Sequence, residues 1–127
     1  MIDLDLESQK AAQSIARNCT ESRDILETVA TKTLGVLQEN GVYAAVLYTF
    51  TRADKHKKAA DAVRAGLLAM APQLGLAAAP THGRPADVLA HVTETVCKNL
   101  DRMLLVKQVW EQALIYTRFG AKAEKQS

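Results

Sequence analysis

Apolar side chains recur at steps of three and four residues along most of the chain, which is the spacing that places them on one face of an α-helix. The longest such run covers residues 100–125 and is centred on Trp110. Asp101 is a suitable N-cap, since a carboxylate there accepts hydrogen bonds from the first-turn amides. The predicted inner face comprises Met103, Val106, Val109, Trp110, Ala113, Leu114 and Thr117. We therefore predict a long C-terminal helix that buries Trp110 in the core.

The same spacing predicts two helices in the N-terminal part of the chain. The first begins at Asp5 or Ser8 and runs to about residue 20. The second covers residues 23–40, and Gly41 is expected to end it, because glycine takes the left-handed conformation at little cost.

Two more helices are predicted at residues 57–71 and 86–100. Pro72 is expected to end the former, since proline cannot continue the hydrogen-bond ladder of a helix. Residues 75–85 contain glycines and prolines and are predicted to form the one sizeable loop. Residues 52–58 are predicted to form a polar, basic turn.

Residues 42–50 have a less distinct pattern. Their valines and tyrosines suit a β-strand, whereas their length and lack of clean alternation suit a buried helix equally well. We predict a helix, because a single strand would have no partner in this sequence.

Composition favours closely packed helices over a sheet. Apolar residues make up 48% of the chain, but only six residues are aromatic and many are alanine. A chain of 127 residues is long enough to bury one core without disulfides or metals. We predict an all-α fold, a compact single domain over residues 1–127 that is built as a bundle of about six helices.

Charge and cysteine content point to no particular partner. The formal net charge is +2, so only the placement of basic residues can indicate a ligand. Cys19 and Cys97 fall within apolar helical stripes and are expected to be buried, reduced thiols, although a disulfide is left open. The N-terminus is acidic where a signal peptide would be basic, and the longest uncharged run, 65–83, contains helix breakers. We expect a soluble, cytoplasmic protein that makes no membrane contact.

One predicted helix face could hold a metal ion. Asp87, His91 and Glu94 are spaced so that they share this face, and carboxylates and imidazole are metal ligands. However, Lys98 and Arg102 continue the same face, which favours a charged surface with local ion pairs.

Catalytic motifs are scarce. His82 lies in the predicted loop, where a catalytic base could act, but no serine or cysteine motif accompanies it. The sequence has no phosphate-binding glycine loop, paired-cysteine metal motif or nucleophile elbow. We therefore predict that the chain is not an enzyme and carries no cofactor.

Basic side chains recur on the predicted outward faces of the first and last helices, and a second cluster lies in the turn at 52–58. A basic run of this kind is most often a solvated loop. The alternative is that its side chains contact phosphates. The candidate RNA-binding residues are Lys10, Arg17, Lys55, Lys57, Lys58, Arg118 and Lys122. Few aromatic residues and no base-reading motif accompany them, so these contacts would be made to the backbone, independently of sequence.

Three stretches resemble a known family. Residues 110–124, WEQALIYTRFGAKAE, resemble the closing helix of the small subunit of type III-B CRISPR effector (Cmr) complexes. That helix has a Glu-Ala-Leu segment, an aromatic residue, a basic residue with phenylalanine, and a small-residue end. Residues 6–16 resemble its opening helix, and residues 37–47 resemble its glycine-containing helix junction. Two departures are Gln112, which interrupts the Glu-Ala-Leu pattern, and Gly120, where alanine or a bulkier residue is common.

The resemblance implies an all-helical, non-catalytic subunit that serves antiviral defence. Several copies would stack beside the guide–target duplex and contact RNA backbone through basic helix faces. The implied partners are guide RNA, target RNA, other effector subunits and further copies of the chain, and target cleavage would reside in other subunits.

Two alternatives come from other functional classes. One is a helical protein–protein adaptor whose basic clusters bind no RNA. The other is a metal-dependent helical-bundle enzyme that would use Asp87, His91 and Glu94.

Overall fold

The computed structural model describes residues 2–80 and 82–126. Within these ranges the chain is an all-α bundle without strands, as predicted. Its helices are α1 (Leu4–Asn18), α2 (Arg23–Asn40), α3 (Val42–Phe50), α4 (Lys57–Leu68), α5 (Pro85–Val92) and α6 (Leu100–Lys125). Short 3-10 turns at Asp54–His56 and Pro72–Leu74 flank α4, and a π-helical turn at Thr93–Cys97 extends α5.

Helix α6 is the centre of the bundle and packs mainly against α1 and α2. It runs parallel to α1, since the Ser8 hydroxyl near the start of α1 donates to the Val109 carbonyl at 3.3 Å. At the other end, the Arg23 guanidinium joins the Ala16 carbonyl of α1 to the Glu124 carboxylate of α6. Helix α6 runs antiparallel to α2, because Lys125 near the end of α6 donates to Asp24 at the start of α2.

The predicted inner face of α6 is confirmed. Trp110 is 3% exposed, and its aliphatic neighbours on the same face are buried except Met103, which packs half-buried against the core. The ring borders an apolar cavity that Leu67 of α4 and Val92 of α5 also line. Trp110 therefore lies where three helices meet around one cavity.

Helix starts differ from the prediction at two places. Asp101 does not cap α6: the Asn99 side chain accepts from the Arg102 amide at 2.9 Å, because Asn99 is the last residue with extended backbone. Helix α1 begins at Leu4 with Asp3 as its cap. Ser8 is therefore not a cap but a buried interior residue.

Two helices are shorter than predicted. Helix α4 ends at Leu68, since the chain turns before Pro72, and Pro72 opens a 3-10 turn rather than ending the helix. The segment predicted as one helix over 86–100 is α5 followed by the π-helical turn, and it breaks before α6 begins at Leu100.

The ambiguous segment is helix α3, as predicted, and it packs against both α2 and α4. A strand would leave its backbone groups unpaired in a bundle of helices. Gly41 separates α2 from α3 with φ +94° and ψ −174°. This conformation has a positive φ, but it is extended rather than left-handed helical, and it is open almost exclusively to glycine.

Candidate nucleic-acid interface

Lys10 and Arg17 are exposed on α1 and point away from α6. Helix α1 contacts α6 through Ser8 and Ala12. At about 100° per residue, Arg17 lies roughly 140° around the helix from Ala12, and Lys10 roughly 160°. Lys10 is 3.8 Å from Glu7, whereas Arg17 forms no ion pair with a described carboxylate. This flank of the bundle therefore carries a solvent-exposed cationic face.

Arg118 and Lys122 lie on the opposite flank, near the end of α6. Arg118 lies over the ring of its neighbour Phe119 at 5.0 Å, and neither cation forms an ion pair with a described carboxylate. Lys125, one turn further, forms ion pairs with Asp24 and Glu27 of α2, unlike Arg118 and Lys122. Because α1 packs on the far side of α6, the two basic pairs do not form one surface.

The turn cluster lies at the start of α4. Lys55 and Lys58 are exposed and unpaired among the described residues, whereas Lys57 donates to Asp61 one turn later at 3.0 Å. Lys58 shares a shallow cleft with Asn18 at the end of α1 and with His82. Arg17 immediately precedes Asn18, so the turn cluster lies at the same end of the bundle as the α1 pair.

A second cleft, of about 290 Å³, lies between the end of α3 and the starts of α4 and α5. Its walls include Arg52, Lys57, Asp61 and Arg64. Arg64 was absent from the predicted site residues. The sequence did carry a signal for it, since it falls beside the predicted apolar side of α4, where a charged residue needs a buried partner.

Arg64 is the only buried cation among the described residues. It is 9% exposed, donates to the Thr49 hydroxyl at 3.2 Å and to Asp61 at 2.6 Å, and stacks on the Phe50 ring at 3.8 Å. Its Nε–H has no acceptor among the described residues. These contacts fix the guanidinium in the wall of the cleft.

Asp61 is the only carboxylate in the walls of this cleft. Burial on its own would raise the pKa of the carboxyl, but hydrogen bonds from Lys57 and Arg64 outweigh burial and hold the pKa below its ordinary value of 3.8. The group is therefore ionised and shared between two cations at neutral pH.

This pKa predicts an acid-sensitive contribution to stability. Since the folded-state pKa of Asp61 is lowered, its ionised form stabilises the fold above about pH 4, and this contribution disappears as the pH falls through the folded-state value. Asp61→Asn is expected to lower the thermal midpoint modestly at pH 7 and to converge with the wild type once the pH falls below the folded-state pKa of Asp61. Thermal unfolding between pH 2 and 7 would measure this, and a pH-independent difference would contradict it.

The structure does not bring the three candidate metal ligands together. Asp87 pairs with Arg84 at 3.5 Å and Glu94 with Lys98 at 2.5 Å, which are local ion pairs of a charged surface. His91 lines an apolar cavity, and its Nε2 has no described partner. The described residues contain no group of three histidine, cysteine or acidic side chains that could hold a metal.

Both cysteines are free thiols in the structure, with Cys19 buried and Cys97 half-buried. Burial raises the pKa of the Cys97 thiol, and a backbone hydrogen bond involving Tyr43 opposes this only in part. The raised pKa makes the Cys97 thiol less reactive than an ordinary exposed cysteine.

Comparisons with models of protein families, with curated proteins and with solved structures give no match to this chain. None of the helices in the described ranges combines the length and apolarity that crossing a membrane requires.

Proposed function

We propose that this chain is the small, non-catalytic subunit of a type III-B CRISPR RNA-guided effector complex. In this role it contacts the backbone of guide and target RNA and stacks with further copies of itself and with other effector subunits. The observation that carries the proposal is a set of cations without a described carboxylate partner on two flanks of a nearly neutral bundle: Arg17 and Lys122, which are exposed, and Arg118, which is half-buried.

Phosphate is the ligand that these cations suit. Arg17, Arg118 and Lys122 are held on helices, so their spacing along the surface is set by the helix repeat. No base-reading sequence motif accompanies them, which favours contacts that are independent of sequence. Two flanks allow one copy to contact RNA on one side while the other flank faces a neighbouring subunit or a second strand.

Stacking gives weak single contacts a large combined effect. One copy offers few phosphate contacts, so the isolated chain would bind RNA weakly. When several copies lie on one strand, each further contact is effectively intramolecular and raises the overall affinity. The proposal therefore concerns the assembled complex rather than the free chain.

The charge variants Lys10→Ala/Arg17→Ala and Arg118→Ala/Lys122→Ala are expected to weaken target-RNA retention by the assembled complex. Each lost phosphate contact should reduce the slope of log affinity against log salt by about 0.7 for a single strand. Sequence preference should be unchanged, since phosphate contacts carry no sequence information. Filter binding at several salt concentrations would measure both quantities.

Lys32→Ala/Arg102→Ala is the matched control, because it removes one lysine and one arginine from exposed positions outside the proposed contacts. The control should retain RNA like the wild type. If it loses as much affinity as the two test pairs, only bulk charge matters and the assignment of these faces is wrong. If neither test pair changes retention in a correctly assembled complex, the proposal fails for these residues.

The adaptor alternative has one observation in its favour. Leu104 and Phe119 on the outward side of α6 are 52% and 54% exposed, and Leu100, the first residue of the helix, is 64% exposed. Such side chains are suited to protein contacts. An adaptor without RNA binding would show no salt-dependent RNA retention in the experiment above.

A further inference from the structure

The cleft between α3, α4 and α5 has an excess of positive charge. Arg52, Lys57 and Arg64 line it, and Asp61 is the one carboxylate among its walls. Asp61 is already shared by Lys57 and Arg64. Arg52 forms no ion pair with a described carboxylate, and its guanidinium lies 4.5 Å above the Tyr48 ring. An anion entering the cleft would therefore meet uncompensated positive charge.

Arg64 makes this charge a fixed feature of the wall. Two of its nitrogens are held by Thr49 and Asp61, its plane is stacked on Phe50, and the side chain is nine-tenths buried. A buried cation loses less of its attraction to solvent screening than an exposed lysine does. Its free Nε–H also leaves the buried guanidinium short of one acceptor.

The start of α5 borders the same cleft. Pro85 opens this helix and no side chain caps it. At the start of α4, by contrast, the Lys57 amide already donates to the Asp54 carbonyl of the preceding 3-10 turn. The amides at the start of α5 carry a partial positive charge, which adds to that of the side chains. Gly83, two residues before Pro85, also lines the wall.

The cleft is suited to one phosphate group rather than to a base. Its volume of about 290 Å³ is at the lower limit of small-molecule sites, roughly 300 Å³. The Phe50 ring cannot stack on a base through the face that Arg64 covers. The Thr49 hydroxyl is already engaged with the Val46 carbonyl and Arg64.

We propose that this cleft is a phosphate-binding site, in which Arg52 and Lys57 contact the anion and Arg64 acts as a fixed positive charge behind them. The assignment of the phosphate to an RNA backbone rests on the proposed function, whereas the site itself does not. This site extends the candidate RNA-binding surface from the exposed turn at residues 52–58 into the neighbouring cleft.

Binding to the isolated chain tests the site. Arg52→Ala is expected to weaken binding of inorganic phosphate about tenfold, as loss of a charge-assisted hydrogen bond does. Asp61→Asn is expected to tighten binding about threefold, because it removes the one negative charge without changing the side-chain shape. Amide chemical shifts of Gly83 and Ala86, followed during phosphate titration, would give both affinities.

Arg102→Ala is the control, since it removes an exposed arginine far from the cleft in the sequence and should leave phosphate affinity unchanged. Equal thermal midpoints for Arg52→Ala and the wild type would show that the variant is folded. Phosphate shifts that persist unchanged in Arg52→Ala, or that Asp61→Asn weakens, would overturn the site.

Short RNA oligomers distinguish the source of the phosphate. An oligomer without terminal phosphates that competes with inorganic phosphate for the cleft identifies an internal phosphodiester as the ligand. Competition only by a 5′-phosphorylated oligomer identifies a terminal phosphate and overturns the backbone assignment. If phosphate binds the cleft while the α1 and α6 charge variants leave the complex unaffected, the site stands and the assignment of the α1 and α6 faces to RNA fails. If the charge variants weaken RNA retention but phosphate does not bind the cleft, only the proposed phosphate site is wrong.

Discussion

Replacing Trp110 with alanine is expected to lower the free energy of unfolding by about 3–5 kcal/mol. The ring is 3% exposed and borders an apolar cavity that side chains of α4, α5 and its own helix line. Its removal leaves a cavity bordered by three helices, which other contacts hold in place and which cannot all move in to fill it. Urea unfolding followed by circular dichroism would measure the loss, since the variant has no tryptophan fluorescence.

Leu104→Ala is the control for this prediction. Leu104 lies on the same helix but is 52% exposed, so its truncation should change the free energy of unfolding by no more than about 0.5 kcal/mol. If Trp110→Ala behaved like Leu104→Ala, the ring would not be the anchor that joins these helices.

Gly66→Ala is expected to lower the free energy of unfolding by about 2 kcal/mol. A Cβ atom at Gly66 would lie 2.3 Å from Cγ1 and 2.9 Å from Cδ1 of Ile15, a fully buried residue of α1. A contact this short lies at the upper end of the roughly 1–3 kcal/mol that overpacking costs, and alanine returns about 1 kcal/mol of helix propensity, which leaves about 2 kcal/mol. Chemical denaturation would measure the difference.

Gly35→Ala is expected to change the free energy of unfolding in the opposite direction. Gly35 also lies inside a helix, but a Cβ atom there would meet nothing within 4 Å, so alanine should stabilise the chain by about 0.5–1 kcal/mol. In a double-mutant cycle, Ile15→Ala should relieve the cost of Gly66→Ala, because the new methyl group then enters the space left by the isoleucine. Additive effects would show that α1 and α4 do not meet through these two residues.

The comparison of these two glycines shows why sequence patterns predict only part of the fold. Both residues interrupt a helical run, and the sequence gives each the same reduced helix propensity. Only the packed structure distinguishes them, because Gly66 allows α4 to approach α1 closely while Gly35 faces open space.

The candidate site, too, was predicted only in part from the sequence. Spacing along the chain correctly predicted exposed positions for Lys10 and Arg17, since a helix repeat places residues seven apart on one face. It could not predict that Arg118 and Lys122 lie on the opposite flank, because this depends on which side of α6 the first helix covers. The cleft around Arg64 combines residues from α3, α4 and the segment before α5, so no single stretch of sequence contains it.

The sequence by itself determined the helical class, the buried face of α6 and the end of α2 at Gly41, because each follows from local periodicity or from the conformational range of one residue. The tertiary structure alone decided the cap at Asn99, the π-helical turn after α5 and the pairing of Asp61 with Arg64. Each of these is a choice between near-equal local alternatives, and the packing of the whole bundle selects among them. Residues distant in sequence supply that packing energy, which a local pattern does not contain.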